Sequence, residues 1–365
     1  MEPDDKRSSI TESEMIAAFT RGVELPPLFL RIEETLLLRI METYGGNQDR
    51  MQPDAVVETT WEGERFKFIA EFKARSTPKV FADAVRQAQA YAEQLGEPPI
   101  IVLPYLAPKQ LDTLVDMQIS GVDLSGNGVV IVPERLLVYR TGKPNKFRES
   151  APTRFAYRGA TSLVARVFLC RPSYESLADI KDEIRKRGGG VSISTISKAL
   201  KRMEEDIIVK KEPGNIALLQ ADSLLEKLAA NYRTVRVRRK VNCAADIPLC
   251  ELLAQRMRAA RRVLSGRSSV ELYAVMGCDE KPVIYTDDAL AVLDQWGDVV
   301  RRTDRFYDFE LHETNGLAVF FDARTKENIP YASPVQTYLE CATGDKRFEE
   351  VAQQVRKSIL EELGG

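Results

Sequence analysis

The chain has 365 residues, 44% of them hydrophobic and 29% charged, with a formal net charge of −2. That length holds two or three domains with real cores. The near-neutral balance excludes a general polycation, so any nucleic-acid contact must come from local patches.

The N-terminal stretch MEPDDKRSSITESE is polar, which predicts no signal peptide. No apolar run reaches membrane-spanning length. The five cysteines (170, 243, 250, 278 and 341) include no close pair, and His312 is the single histidine. This argues against a zinc site and against a Cys/His or Ser/His/Asp centre. The cysteines read as small buried residues of a reducing compartment, and the expectation is a cytoplasmic protein with no membrane partner.

Residues 28–44, LFLRIEETLLLRIMETY, place Phe29, Ile32, Leu36, Leu37, Ile40 and Tyr44 on one face at helical spacing, with Glu33 in the middle of it. Glu33 is then either a carboxylate bound to a cation, or one that snorkels to a rim or pairs with a lysine. Two strands follow in MQPDAVVETTWEGERFKFIAEFKAR, joined by a turn at Glu62-Gly63. Asp54 opens the first strand. In the second, Phe66, Phe68, Ala70 and Phe72 share one face, and Lys67, Ile69, Glu71 and Lys73 the other. Two carboxylates can hold a hard divalent cation, and a neighbouring lysine can orient a water or stabilise charge on a phosphate. The alternative is an amphipathic hairpin with a wet face. A helix over 79–95 packs Val80, Phe81, Ala84, Ala88, Tyr91 and Leu95 on the sheet, with Gln87 at the edge of that face.

Together these segments resemble the PD-(D/E)xK nuclease superfamily over residues 25–105. The resemblance implies a restriction-endonuclease-like α/β domain over 1–150. It also implies Glu33, Asp54 and Glu71 as Mg²⁺ ligands, Lys73 as the catalytic lysine and Gln87 as an accessory polar group. Many members of the superfamily no longer cut, so turnover does not follow from the motif.

IIVLPYL reads as a buried strand, a helix follows over 108–118, and GVDLSGNGVVIVPERLLVYRTGKP supplies short strands that complete the first domain. Residues 144–160 read as a linker. Residues 151–232 then read as a winged helix-turn-helix. Its first helix turns Leu163, Val164, Val167 and Phe168 inward, its second Leu177, Ile180 and Ile184, and its third Ile193, Ile196, Leu200 and Met203. The outer side of the third helix carries Ser194, Thr195, Ser197, Lys198, Lys201 and Arg202, a set that suits a major groove. Lys210 and Lys211 lead into a Pro-Gly-Asn turn between two strands. From Lys181 to Lys211 nine Lys/Arg stand against five Asp/Glu, so duplex DNA is the expected partner. A protein-binding module or a solvated basic face is the alternative.

RTVRVRRK at 233–240 reads as a strand or tether along phosphate, or as a basic linker. RMRAARRVLSGR at 256–267 reads as a basic helix. In the last third, VELYAVMG, KPVIYT and LAVFFDA read as strands. DDALAVLDQWG reads as a helix capped by Asp287 and Asp288. A helix opens at Ser333-Pro334, and another closes the chain over 346–363.

SPVQTYLECATGDKRFEEVAQQVRKSIL after FDAR, with DLSGNG at 123–128, is similar to AbiEi-type antitoxins of type IV toxin–antitoxin systems and their larger relatives. This implies an α+β C-terminal domain over 233–365, a transcriptional regulator, and a toxin or operon-encoded partner protein. A homodimer is a further open alternative. The simplest members start with the winged helix, whereas here a nuclease-like domain comes first. The overall expectation is a multidomain α/β and α+β regulator, with a Mg²⁺-dependent endonuclease as its rival.

Overall fold

Alternation of apolar and polar residues, rather than helical spacing, sets the structure at the start of the chain. The computed structural model describes residues 9–33, 53–147, 156–255, 260–275 and 280–364, in a mixed α/β chain with several sheets. It divides into two compact units, Met1–Ala151 and Pro152–Gly365.

In the first unit α1 (Glu12–Arg21) opens on a capping box: Thr11 Oγ1 accepts the Glu14 N–H, and the Glu14 carboxylate accepts the Thr11 N–H. Strands β1 (Val23–Leu25), β2 (Leu28–Ile32), β3 (Ala55–Trp61) and β4 (Glu64–Phe72) follow. The β3–β4 turn has positive φ at both Glu62 and Gly63 (49° and 86°), the mirror-image turn that suits the twist of a two-residue hairpin. Next come α2 (Pro78–Leu95), β5 (Pro99–Leu103), α3 (Pro108–Asp116), β6 (Ser120–Asp123), β7 (Gly128–Val132) and β8 (Leu136–Arg140). The eight strands form one sheet in chain order. The β4–β5 and β5–β6 pairs are parallel and the others antiparallel. One face packs Phe66, Phe68 and Phe72 under Met15 and Phe19 of α1. The other packs Ile101 and Val129 under α2 and α3, and Val56 and Ile69 under Tyr91.

The helix expected over 28–44 is not present at 28–32, which is strand β2. Leu28 and Leu30 are buried and Phe29 is exposed, a period of two stabilised by pairing with β1 and β3. Residues 34–44 lie outside the described residues.

The second unit begins with α4 (Ser162–Phe168), β9 (Ser173–Tyr174), α5 (Leu177–Lys186), α6 (Ile193–Glu205), β10 (Val209–Glu212), β11 (Asn215–Leu218) and α7 (Ala221–Asn231). Its three strands pair antiparallel in the order β10-β11-β9. Ile196, Leu200 and Met203 are buried as expected, whereas Ile193, the first residue of α6, is 39% exposed. A helix's first turn has no preceding turn to pack against, so the apolar stripe does not reach it.

Further along lie β12 (Arg239–Ala245), α8 (Leu249–Ala254), β13 (Arg262–Leu264), β14 (Val283–Thr286), α9 (Ala289–Trp296), β15 (Val300–Arg302), β16 (Phe309–Glu313), β17 (Arg324–Lys326) and β18 (Ile329–Tyr331). They form a seven-stranded sheet in the order β15-β12-β16-β14-β13-β18-β17. Three expectations fail here. The described part of 256–267 contains strand β13 rather than a helix. Arg267–Leu272 and Leu317–Val319 are short 3₁₀ turns, not strands. Short continuous apolar runs carry no period, so only their neighbours decide what they become. Asp288 caps α9, but Asp287 pairs with Arg261 instead.

The last helices, α10 (Pro334–Ala342) and α11 (Lys346–Gly364), return to the first helices of this unit. Val335, Leu339, Val351 and Val355 share one core with Leu163, Phe168, Ile180 and Met203. The segments 151–232 and 233–365 are therefore joined through that core. A fragment of residues 156–232 expressed alone is expected to lack a cooperative thermal transition. Circular dichroism through a melt checks this, and a sharp transition would show that the fragment folds without α10 and α11.

Candidate functional site

In the first unit the site grows from strand register. Ala55 lies opposite Ala70, so Asp54, just before β3, stands across from Glu71. Alternation turns both, with Val56 and Ile69, toward α2. The Asp54 N–H donates to the Ala70 carbonyl at 3.1 Å, and its Oδ2 accepts the Phe72 N–H at 2.7 Å. Lys73 lies two residues past Glu71 on the same face. Its N–H donates to the Val102 carbonyl at 3.0 Å, and its ammonium is hydrogen-bonded to Glu71 Oε1.

Glu12 was not singled out from the sequence and joins this group. Its Oε1 accepts the Ala74 N–H at 3.3 Å, and its charge acts on Asp54, Glu71 and Lys73. The Thr11–Glu14 capping box marks the helix start that carries it, but nothing in the spacing ties that start to β4.

Burial pushes the Asp54 carboxyl above its ordinary value, against the pull of the Phe72 N–H and Lys73. Burial also raises Glu71, which is 1% exposed, and Asp54 and Glu12 add to the rise while Lys73 opposes it. Burial disfavours the Lys73 charge, yet the three carboxylates outweigh it and hold the ammonium above its usual range. Tyr91 is pushed up to about 12 by burial and by the charges of Glu71 and Asp54. Gln87 lies half-buried on α2, one turn before Tyr91.

Glu71 Oε2 is buried with no hydrogen-bond partner. Glu33, Glu58 and Asp206 each have a similar oxygen, but in those a cation lies within ion-pair distance of it. Among the described residues, no group of three or more His, Cys, Asp or Glu is arranged to hold a metal ion. The pair Asp54 and Glu71, with that unpartnered oxygen, still fits the chemistry of a hard cation, which takes oxygen ligands and completes its shell with water or phosphate.

Glu33 is not brought to this pair. It forms an ion pair with Lys67 at 2.7 Å, beside the Arg31–Glu58 pair at 2.6 Å. Lys67 is four residues before Glu71, about 13 Å along the strand at the usual rise.

In the second unit, Ser192 caps α6 by accepting the Thr195 N–H at 3.2 Å. Ser194, Ser197, Lys198 and Lys201 are exposed along one side of the helix. Thr195 is half-buried, with its hydroxyl 2.9 Å from Ser192 Oγ. Lys211 is exposed, and Lys210 is exposed but paired with Glu212 at 2.6 Å. Arg202, expected on the outer side, is half-buried and bound to Asp206 at 3.2 Å. Asp206 is 4% exposed and also accepts the Tyr157 hydroxyl at 2.8 Å. A buried carboxylate needs a counter-ion, and Arg202 one turn earlier supplies it.

Comparison of the chain with protein-family models, with curated proteins and with solved structures returned no match. Among the described residues, no helix is long and apolar enough to cross a membrane.

The raised Glu71 carboxyl has a signed consequence. Its proton is held more tightly folded than unfolded, so its charge destabilises the fold above the folded value. That cost fades as pH falls toward the ordinary 4.5. Glu71→Gln is expected to stabilise the protein at pH 8 by about 1–3 kcal/mol, the cost of a poorly satisfied buried charge. The advantage should shrink toward pH 5, and thermal melts of both proteins at the two pH values measure it.

Proposed function

We propose that the protein is a cytoplasmic DNA-binding transcriptional regulator in which residues 156–231 act as a winged helix-turn-helix. The observation that carries this reading is the row Ser194, Ser197, Lys198 and Lys201, exposed along α6 opposite its buried stripe. The order α4, β9, α5, α6, β10, β11 supports it, since it sets a capped helix beside a two-stranded hairpin carrying Lys211. Hydroxyls and ammonium groups on one helix face suit base edges and phosphates in a major groove. Arg202 is left out of this set because Asp206 holds it. The proposed partner is duplex DNA. A toxin or operon-encoded partner, in the manner of AbiEi-type regulators, is proposed on the Ser333-Pro334 helix and the FDAR motif alone.

Lys198→Ala with Lys201→Ala is expected to weaken duplex binding. It should also lower the slope of log affinity against log salt by about 0.9 for each phosphate left without its ammonium partner. Anisotropy titrations at several salt concentrations read both, with circular dichroism to show the fold retained. Unchanged affinity would end this reading.

A second reading, a Mg²⁺-dependent endonuclease with a PD-(D/E)xK-like first domain, is favoured by Glu71 Oε2 and its neighbours. Asp54 and Glu71 would hold the ion, which when bound would supply Lewis-acid stabilisation of phosphate charge. Lys73, kept protonated by the surrounding carboxylates, would hold charge at the same place. The regulator reading expects plasmid DNA incubated with Mg²⁺ or Mn²⁺ to stay intact. Nicking by the wild type that disappears in Lys73→Ala would establish the enzyme instead.

A further inference from the structure

The second unit contains a cavity of about 230 Å³. Its wall is formed by the start of α4, the end of α7, the segment Arg233–Arg236, the turn around Ala318 and one face of α10. Among the described residues four arginines line it, namely Arg158, Arg166, Arg233 and Arg236, and no Asp or Glu does.

Arg166 is the informative one. It is 3% exposed, yet its partners are neutral: one terminal nitrogen donates to the Ala318 carbonyl at 3.0 Å and to Gln336 Oε1 at 2.8 Å. Its Nε is buried without a hydrogen-bond partner. Burial lowers its pKa to about 10, while the Glu340 charge partly offsets the cost. Glu340 itself is engaged by Gln336 Nε2 at 2.7 Å and lies outside the lining. An ionised side chain is expensive to bury unless an anion meets it. Here every described residue that lines the cavity with Arg166 is neutral or cationic. Tyr232 adds a hydroxyl, 3.1 Å from Gln336 Nε2. Exposed Arg233 and Arg236 stand at the rim.

From this we infer that the cavity is a binding site for a small phosphorylated molecule, about the size of a sugar monophosphate, with its phosphate directed toward Arg166. A phosphate monoester carries nearly two charges on three acceptor oxygens, which matches several guanidinium forks better than a single carboxylate does. A duplex backbone is a poorer occupant, because Arg166 is covered and a phosphate inside a polymer cannot descend to it. The cavity walls come from both the α4–α7 segment and the segment that follows it, so an occupant touches both.

The test is calorimetric titration of the full chain with ribose 5-phosphate, inorganic phosphate and citrate, backed by thermal shifts. Ribose 5-phosphate is expected to bind and raise the melting temperature, with inorganic phosphate weaker. Arg233→Ala with Arg236→Ala, at exposed positions, should weaken binding at least tenfold and leave the unliganded melt unchanged. Arg166→Gln should abolish binding. Should that variant fail to fold, the rim variant alone decides. Absence of heat and of shift with millimolar ribose 5-phosphate would overturn the proposal. So would binding that the rim variant leaves intact, or tighter binding of citrate, which would assign the site to carboxylates. Loss of duplex affinity in the rim variant, with no ribose 5-phosphate binding by the wild type, would give the rim to DNA and also overturn it.

Discussion

The register of one strand pair decides what the first unit can do. With Ala55 opposite Ala70, Asp54, Glu71 and Lys73 share the α2 face, and Phe68 and Phe72 enter the core under α1. A slip of one residue would send the phenylalanines outward and the charges into that core, so burial on both faces enforces the pairing. The hydrophobic pattern that folds the sheet is thus the same pattern that assembles the carboxylates. Neither could change without the other, and the Glu62-Gly63 turn, fixed at two residues, leaves the hairpin no slack.

The second unit depends instead on buried polar groups spread far apart in the chain. Arg166 and Gln336 are 170 residues apart, yet their hydrogen bond fixes α10 against α4. Gln336 is also bound to Tyr232 and Glu340, so one side chain joins three parts of the unit. Such a network is costly when incomplete, which makes it a strong selector of a single packing. Asp206 plays the same part locally, tying Tyr157, Arg202 and Lys227 to the end of α6.

Much of this was legible in the sequence because it was periodic. The alternation in 64–72 and the helical stripes of α2, α5 and α6 place their buried residues without help from elsewhere. What was hidden came from distant neighbours. LFLRI satisfies both periods at its length, and pairing with β3 settles it as strand. Glu12 reaches Ala74 across 62 residues, which no local spacing can announce. Arg166, inside a short helix, reads as a solvent-facing cation until α10 covers it, and every residue of α4 is then buried. Arg202 reads the same way until Asp206 is seen to be buried beside it.

Charged groups in this chain therefore need sorting by what completes them, not by where they lie. Glu58 is 5% exposed and meets Arg31 and Arg65, so its burial is explained inside the fold. Asp322 likewise meets Arg187 and Arg324. Glu71 and Arg166 differ: each is almost fully buried, each has an atom with no hydrogen bond and, among the described residues, no ion pair, and burial raises the Glu71 carboxyl and lowers the Arg166 guanidinium. A buried charge with an unsatisfied atom costs about 1–3 kcal/mol or more, a cost that neither side chain's neighbours in the fold remove. The two deficits are opposite in sign: Glu71 Oε2 leaves a buried acceptor unmet, and Arg166 Nε a buried donor.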